Sequence, residues 1–129
     1  MIVVDASAVV EVILDTPAAE RIAKLFFDSG ESLHAPHLLD VEVAQVLRRL
    51  AATGFVEAGR ARGALADLAD LQVVRYPHDV LLPRVWELRH NVSAYDAVYV
   101  ALAETLDAKL LTGDRRLAAA IGHLHVETI

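Results

Sequence analysis

The sequence predicts an α/β fold, a three-layer α/β/α sandwich whose central parallel sheet has four to five strands. Three observations carry that expectation. Short apolar runs alternate with helical patterns from one end of the chain to the other. The opening strand candidate is continuously apolar rather than alternating, as strands covered on both faces are. Hydrophobic residues make up 55% of the 129 residues, yet aromatic ones only 5%. The core must therefore be built from Ala, Val, Leu and Ile, side chains that let helices pack closely on a sheet. That length fits one domain, residues 1–129, and leaves little room for two.

Each element has its own signal. Ile2-Val3-Val4 is an apolar run closed by Asp5, and Ser7 to Leu14 is apolar enough for a short buried helix. Thr16-Pro17 reads as a second helix start, with Thr as cap and Pro in the first turn. Its core stripe is Ile22, Leu25 and Phe26, and Ser29-Gly30 stops it. Ser32 to Ala35 is the second strand, closed by Pro36. A helix from Leu38 to Thr53 places Leu39, Val43, Val46, Leu47 and Leu50 on one face and ends at Gly54. Val56 to Leu71 is another, with Ala61, Leu65 and Leu68 inward, and Gln72 to Tyr76 is the third strand, ended by Pro77. Asp79 caps a helix with the stripe Leu81, Val85, Leu88 and Val92, and Pro83 in its first turn does little harm there. Tyr95 to Leu106 is apolar nearly all round and is expected to be a buried central helix. Ala108 to Thr112 is the fourth strand, Asp114 to Ile121 a short helix, and Leu124 to Thr128 a last weak strand.

Composition narrows the function. The absence of cysteine removes disulfides, thiolate zinc sites and cysteine nucleophiles together, and is compatible with a reducing cytoplasm. No run reaches the roughly 18 apolar residues that span a bilayer, and the first residues lack a basic region, so a cytoplasmic protein away from the membrane is expected. The net charge of −6 opposes binding of nucleic acid by bulk charge. Bound divalent cations would reverse that sign locally.

The acids are not scattered. Asp5 ends the first strand, Asp114 follows the fourth after Thr112-Gly113, and Asp96 opens the buried helix leading into the fourth. Glu42 lies in the expected first turn of the helix after the second strand. In open α/β sheets the ligand crevice lies outside the carboxyl ends of the strands, where the strand order reverses. If the first and fourth strands are neighbours, Asp5 and Asp114 meet there. Four carboxylates in one crevice need protons or a cation to coexist. Oxygen-only donors suit Mg²⁺ or Mn²⁺, and the chemistry such an ion supports is phosphodiester hydrolysis. Each acid alone also has a plain structural reading. Asp5 and Asp114 fit as helix caps, Asp96 as part of the capping box Ser93-x-x-Asp96, and Glu42 as an acid favoured by a helix dipole. Those readings leave the joint placement at one end of the sheet unexplained.

The assembled residues resemble the PIN-domain family, and within it the VapC-type toxins of bacterial toxin–antitoxin pairs. Val4-Asp5-Ala6-Ser7-Ala8 looks like the family's first motif and Leu39-Asp40-Val41-Glu42-Val43 like its second. Ser93-Ala94-Tyr95-Asp96-Ala97-Val98-Tyr99-Val100-Ala101-Leu102-Ala103 is the most specific match, and Leu111-Thr112-Gly113-Asp114-Arg115-Arg116-Leu117 resembles the fourth. The match covers essentially the whole chain in order. The resemblance implies a Mg²⁺- or Mn²⁺-dependent endoribonuclease, acting as a toxin on RNA, with a cognate VapB-type antitoxin and a homodimeric assembly. It carries catalytic and metal-site roles onto Asp5, Glu42, Asp96 and Asp114, with Ser7 and Thr112 as supporting hydroxyls. The next acid after Asp114 is Glu127, at the far end of a weak strand, so one firmly held metal is expected rather than two.

Arg115 and Arg116, directly after Asp114, are candidates for binding substrate phosphate, while Arg84 and Arg89 are weaker ones. Arg48 and Arg49 read as partners of a helix C-terminus. With only Lys24 and Lys109 there is no extended basic track, which favours a shaped RNA, such as an unpaired loop, over indiscriminate binding. His34, His37, His78, His90, His123 and His125 read as structural or surface residues, and Asp40 as a solvated acid at a helix start. Phe26, Phe27, Phe55 and Trp86 are core or interface candidates. A phosphatase with an aspartate nucleophile would need a second acid at position 7, which is Ser. A phosphoacceptor module would need an acidic pair before the end of the first strand and a late lysine, and has neither. A PIN-like interaction module without catalysis keeps the same pattern and is separated only by experiment.

Overall fold

The structure, a computed structural model, describes residues 1–28 and 30–129. Five parallel strands form one sheet in the order β3-β2-β1-β4-β5, comprising β1 (Ile2–Val4), β2 (Leu33–Pro36), β3 (Val73–Tyr76), β4 (Lys109–Thr112) and β5 (Val126–Thr128). The helices are α1 (Ala6–Ile13), α2 (Ala19–Phe27), α3 (Leu38–Ala52), α4 (Ala58–Asp70), α5 (Leu82–Glu87), α6 (Ala94–Leu106) and α7 (Arg115–Ala120), with a 3₁₀ turn over Asp79–Leu81. The chain builds outward from β1 through β2 to β3, then crosses to β4 on the other side of β1. The reversal of order falls between β1 and β4, where Val4 pairs with Leu111. This is the three-layer sandwich the sequence predicts.

The central strands are buried on both faces. Ile2, Val3 and Val4 are fully inaccessible, as are Leu110 and Leu111. Helix α1 packs against α2, α3 and α4, while α6 lies across β1, β2 and β4 and carries α5. Every residue from Ala97 to Ala103 is buried. Small side chains dominate that run, which allows α6 to approach the sheet closely. Among the described residues no helix is long and apolar enough to cross a membrane.

Several local expectations need correction. Thr16 does not cap α2, because its hydroxyl is turned to Glu11 and the helix starts later, after Ala18. Pro36 does not close β2 but occupies its last position, in register with Tyr76. In α4 the inward residue is Ala64 rather than Leu65, which is 42% exposed. The helix expected through Val92 stops at Glu87, and tighter turns follow, with the Asn91 N–H donating to the Leu88 carbonyl at 2.9 Å. Tyr95, at the start of α6, is exposed. Gly54, at φ +80°, ends α3 as expected, since a side chain there would be strained. Of the pair expected to stop α2, Ser29 lies outside the described residues.

Two of the histidines serve structure. The His78 ring accepts from the Leu38 N–H at 2.9 Å and so caps α3. On β2, buried His34 meets the Ser32 hydroxyl at 2.7 Å and the Tyr76 hydroxyl at 2.6 Å. Burial, aided by the positive N-terminus, holds the His34 ring below the usual histidine range. A ring depressed in this way contributes stability above the ordinary histidine pKa, and that contribution is lost as the pH falls through its folded value. The thermal midpoint of the intact chain should therefore drop relative to His34→Gln on acidification from neutral pH. Parallel midpoint curves for the two proteins would refute the assignment.

Candidate active site

Asp5 follows β1, and its side chain caps α1 by accepting from the Ala8 N–H at 3.2 Å. The same oxygen, Oδ1, accepts from the Ser7 hydroxyl at 2.5 Å, and Oδ2 accepts from the Thr112 hydroxyl. Parallel pairing of β1 with β4 brings Thr112 level with Asp5 although 107 residues separate them. Thr112 also accepts from the Asp114 N–H at 3.0 Å, and Ser7 from the Gly113 N–H at 2.8 Å. Two hydroxyls thus tie the end of β1 to the end of β4. Gly113 suits this approach, since a Cβ there would make a tight contact, 3.2 Å from the Ser7 hydroxyl oxygen.

Asp114 caps α7 through Oδ1, which accepts from the Arg116 N–H at 2.9 Å and the Leu117 N–H at 3.1 Å. Asp96 stands in the first turn of α6, where its N–H donates to the capping Ser93 hydroxyl at 3.2 Å. Glu42 opens the second turn of α3 rather than lying in the first. The Tyr99 hydroxyl donates to its Oε1 at 2.6 Å. The cap readings of Asp5 and Asp114 are therefore correct, and of the capping box read at Asp96 the Ser93 half is present.

Electrostatics joins the four. Burial pushes the Asp5 carboxyl above the ordinary range, against the pull of its hydrogen bonds from Ser7, Thr112 and Ala8. Burial raises Glu42 as well, and the charges of Asp96 and Asp5 raise it further against the Tyr99 bond. Asp96 is raised by burial first, then by the charges of Asp114 and Asp5. Glu42 feels Asp96 and Asp5, and Asp96 feels Asp114 and Asp5, so charge links the four acids pairwise. Among the described residues none of them is ion-paired with a basic side chain. The cluster is an uncompensated concentration of hard oxygen donors, the donor set that Mg²⁺ or Mn²⁺ takes. Among the described residues no group of three or more acidic or histidine side chains is placed to hold a metal ion as it stands. Asp5 is held by two hydroxyls, Glu42 by Tyr99 and Asp114 by the N–H groups of its own helix.

An open cavity of about 790 Å³ adjoins the cluster, lined by Asn91, Ser93, Asp96, Asp114, Arg115 and Arg116 among others. Both candidate phosphate-binding arginines therefore flank two of the acids, while Asp5 and Glu42 lie outside its lining. The weaker arginine candidates are engaged elsewhere. Arg84 is bonded to Glu104 at 2.8 Å, and Arg89 stacks over Trp86 at 4.5 Å. Asp40 is held by both nitrogens of an Arg75 fork, at 2.8 and 2.9 Å, and Glu127 by Lys109 at 2.9 Å. Sequence reasoning passed over Tyr99 and Asn91. Tyr99 left one signal, a hydroxyl within an otherwise aliphatic buried run, since a buried tyrosine hydroxyl seeks a partner.

The PIN domain family matches residues 2–122 of the chain. The VapC ribonuclease Mb0985 of Mycobacterium bovis is 48% identical over 118 residues, which is 92% of this chain and 89% of the relative. The crystal structure of Mycobacterium tuberculosis VapC20, a toxin that cleaves the sarcin–ricin loop, gives a TM-score of 0.69 at 18% identity, covering 93% of this chain and 95% of that one. VapBC2 from Rickettsia felis, solved bound to a DNA fragment from its promoter, gives 0.72 at 14% identity, covering 100% and 99%. At those identities the two solved structures establish a shared fold.

Proposed function

The chain belongs to the PIN-domain family, with VapC ribonucleases among its relatives, and from that premise we propose that it is a Mg²⁺- or Mn²⁺-dependent endoribonuclease acting as the toxin of a toxin–antitoxin pair. The observation that carries the reading is the unneutralised cluster of Asp5, Glu42, Asp96 and Asp114 at the reversal point between β1 and β4.

In this proposal the four carboxylates hold the ion. When bound, a hard divalent cation supplies Lewis acidity toward a phosphodiester oxygen and makes water a better nucleophile at neutral pH. The chain does the rest. Ser7 and Thr112 orient the Asp5 carboxylate, and Thr112 keeps the Asp114 backbone in place behind it. Arg115 and Arg116 line the cavity, where a guanidinium can take a phosphate through two parallel N–H bonds. The ion and the two arginines offset locally the acidic balance of the whole chain. The substrate is RNA and the partners are a VapB-type antitoxin and a second copy of the chain, in the bacterial cytoplasm. Phe27, Phe55 and Trp86, all exposed, supply apolar surface for such contacts, whereas Phe26 belongs to the core.

The direct test is incubation of the purified chain with labelled RNA in Mg²⁺ and in chelator. Internal cleavage is expected in Mg²⁺ alone. Failure to cut under both conditions, across a diverse RNA pool, would favour the interaction module without catalysis. Equal cutting in chelator would end the metal assignment.

A further inference from the structure

We propose that Tyr99 is the positioning residue for Glu42, anchoring one oxygen of that carboxylate so that the other is presented to the shared cation; this rests on the metal-dependent reading above. Glu42 and Tyr99 come from different helices, α3 and α6, 57 residues apart in the chain. The Asp5 and Asp114 carboxylates are held at helix starts by the backbone N–H groups they cap, and Asp96 stands in the first turn of α6 behind the capping Ser93. Glu42 has no such device. It stands one turn into α3, on a longer side chain with more rotamers, and its only hydrogen bond among the described residues is the one from Tyr99. Without an anchor, a glutamate whose neighbours are other acids would swing away from them.

The anchor itself is rigid. Tyr99 is 1% exposed, in the middle of the continuously buried stretch of α6, and its ring has no room to turn. Its hydroxyl is a single donor at a fixed point, and the bond to Oε1 is short at 2.6 Å. Oε2 accepts no hydrogen bond from the described residues. A tyrosine satisfies two requirements at once, since its ring belongs to the buried core and its hydroxyl neutralises nothing. A lysine or arginine there would pair with the glutamate and compete with the ion. The arrangement matches a general feature of metal sites, in which groups behind the ligands orient them and their loss weakens binding.

The test uses the full chain and calorimetric titration of Mn²⁺ in metal-free buffer. Tyr99→Phe keeps the ring and removes the donor, and is expected to weaken Mn²⁺ binding by about 10-fold. Glu42→Gln weakens binding by itself, and adding Tyr99→Phe to it is expected to cost nothing further, because the hydroxyl acts only through the carboxylate. Unchanged affinity in Tyr99→Phe, or losses that simply add in the double variant, would overturn the proposal. A chain that binds no Mn²⁺ even when intact would instead overturn the metal reading on which it rests. A second readout requires no deletion. With 3-fluorotyrosine at Tyr76, Tyr95 and Tyr99, saturating Mg²⁺ should shift the ¹⁹F line of position 99, and an unmoved line counts against the proposal.

Discussion

Asp5→Asn is expected to lower RNA cleavage by on the order of 100-fold or more, while the variant stays folded and loses no stability in chelator. The two halves of that outcome have one cause. Asp5 is the most buried of the four acids, and burial disfavours its charge. Asparagine removes the charge but keeps the shape. Its carbonyl oxygen can still accept from Ser7 and from the Ala8 N–H, so α1 keeps its cap. The Thr112 hydroxyl can rotate to accept from the new amide, so the link between β1 and β4 survives. What disappears is the anionic ligand. A simple structural residue would show the reverse, with stability lost in proportion to activity. Cleavage rates and thermal midpoints measured on the same preparations decide between the two, and Asp96→Asn provides the parallel case at the cavity wall. Retained cleavage in Asp5→Asn would remove that residue from the site.

Much of the site was legible because its acids sit at sequence boundaries. Asp5 ends an apolar run, Asp114 follows another after Thr112-Gly113, and each such boundary marks the carboxyl end of a buried strand. Once β1 and β4 are adjacent, the register sets Thr112 level with Asp5, and Thr112 links that carboxylate to the Asp114 backbone. The contacts that were not legible are long-range pairings between side chains of ordinary appearance. Tyr99 within an apolar run reads as core, which it is, and periodicity does not disclose that its hydroxyl reaches a glutamate on another helix. Asp40 reads as a solvated helix-start acid until β3 brings Arg75 beside it. Local misreadings have local reasons. Ala61, Leu65 and Leu68 form as good a helical stripe as Ala61, Ala64 and Leu68, and only packing against α1 and α3 chooses the second. The apolar stripe through Val92 suggests a continuous helix, but His90-Asn91 are weak helix formers and the chain tightens into turns. That break ends at Ser93 and so delivers the cap of α6, and with it Asp96, to the cavity.

The stabilisation conferred by Mg²⁺ should itself depend on pH. Asp5, Glu42 and Asp96 all have folded-state carboxyls raised above their ordinary values. Groups shifted in that direction contribute stability that is full below the ordinary carboxylate range and is lost as the pH rises through their raised folded values. In chelator, a rise in pH therefore builds charge at the cluster that no basic side chain among the described residues pairs with. A cation at the cluster takes over the role the protons held at lower pH, and the two compete for the same oxygens. The increment in thermal midpoint on adding Mg²⁺ should thus be small near pH 5 and grow toward pH 7.5. At a hundredfold excess over Kd the gain is about 2.7 kcal/mol, roughly 10 °C in Tm for a chain of this size. Taking the difference between the Mg²⁺ and chelator curves cancels the opposing acid sensitivity of His34, which is the same in both. An increment independent of pH, or one that also persists when Asp5 and Asp96 are both replaced by asparagine, would place the bound ion somewhere other than among these four acids.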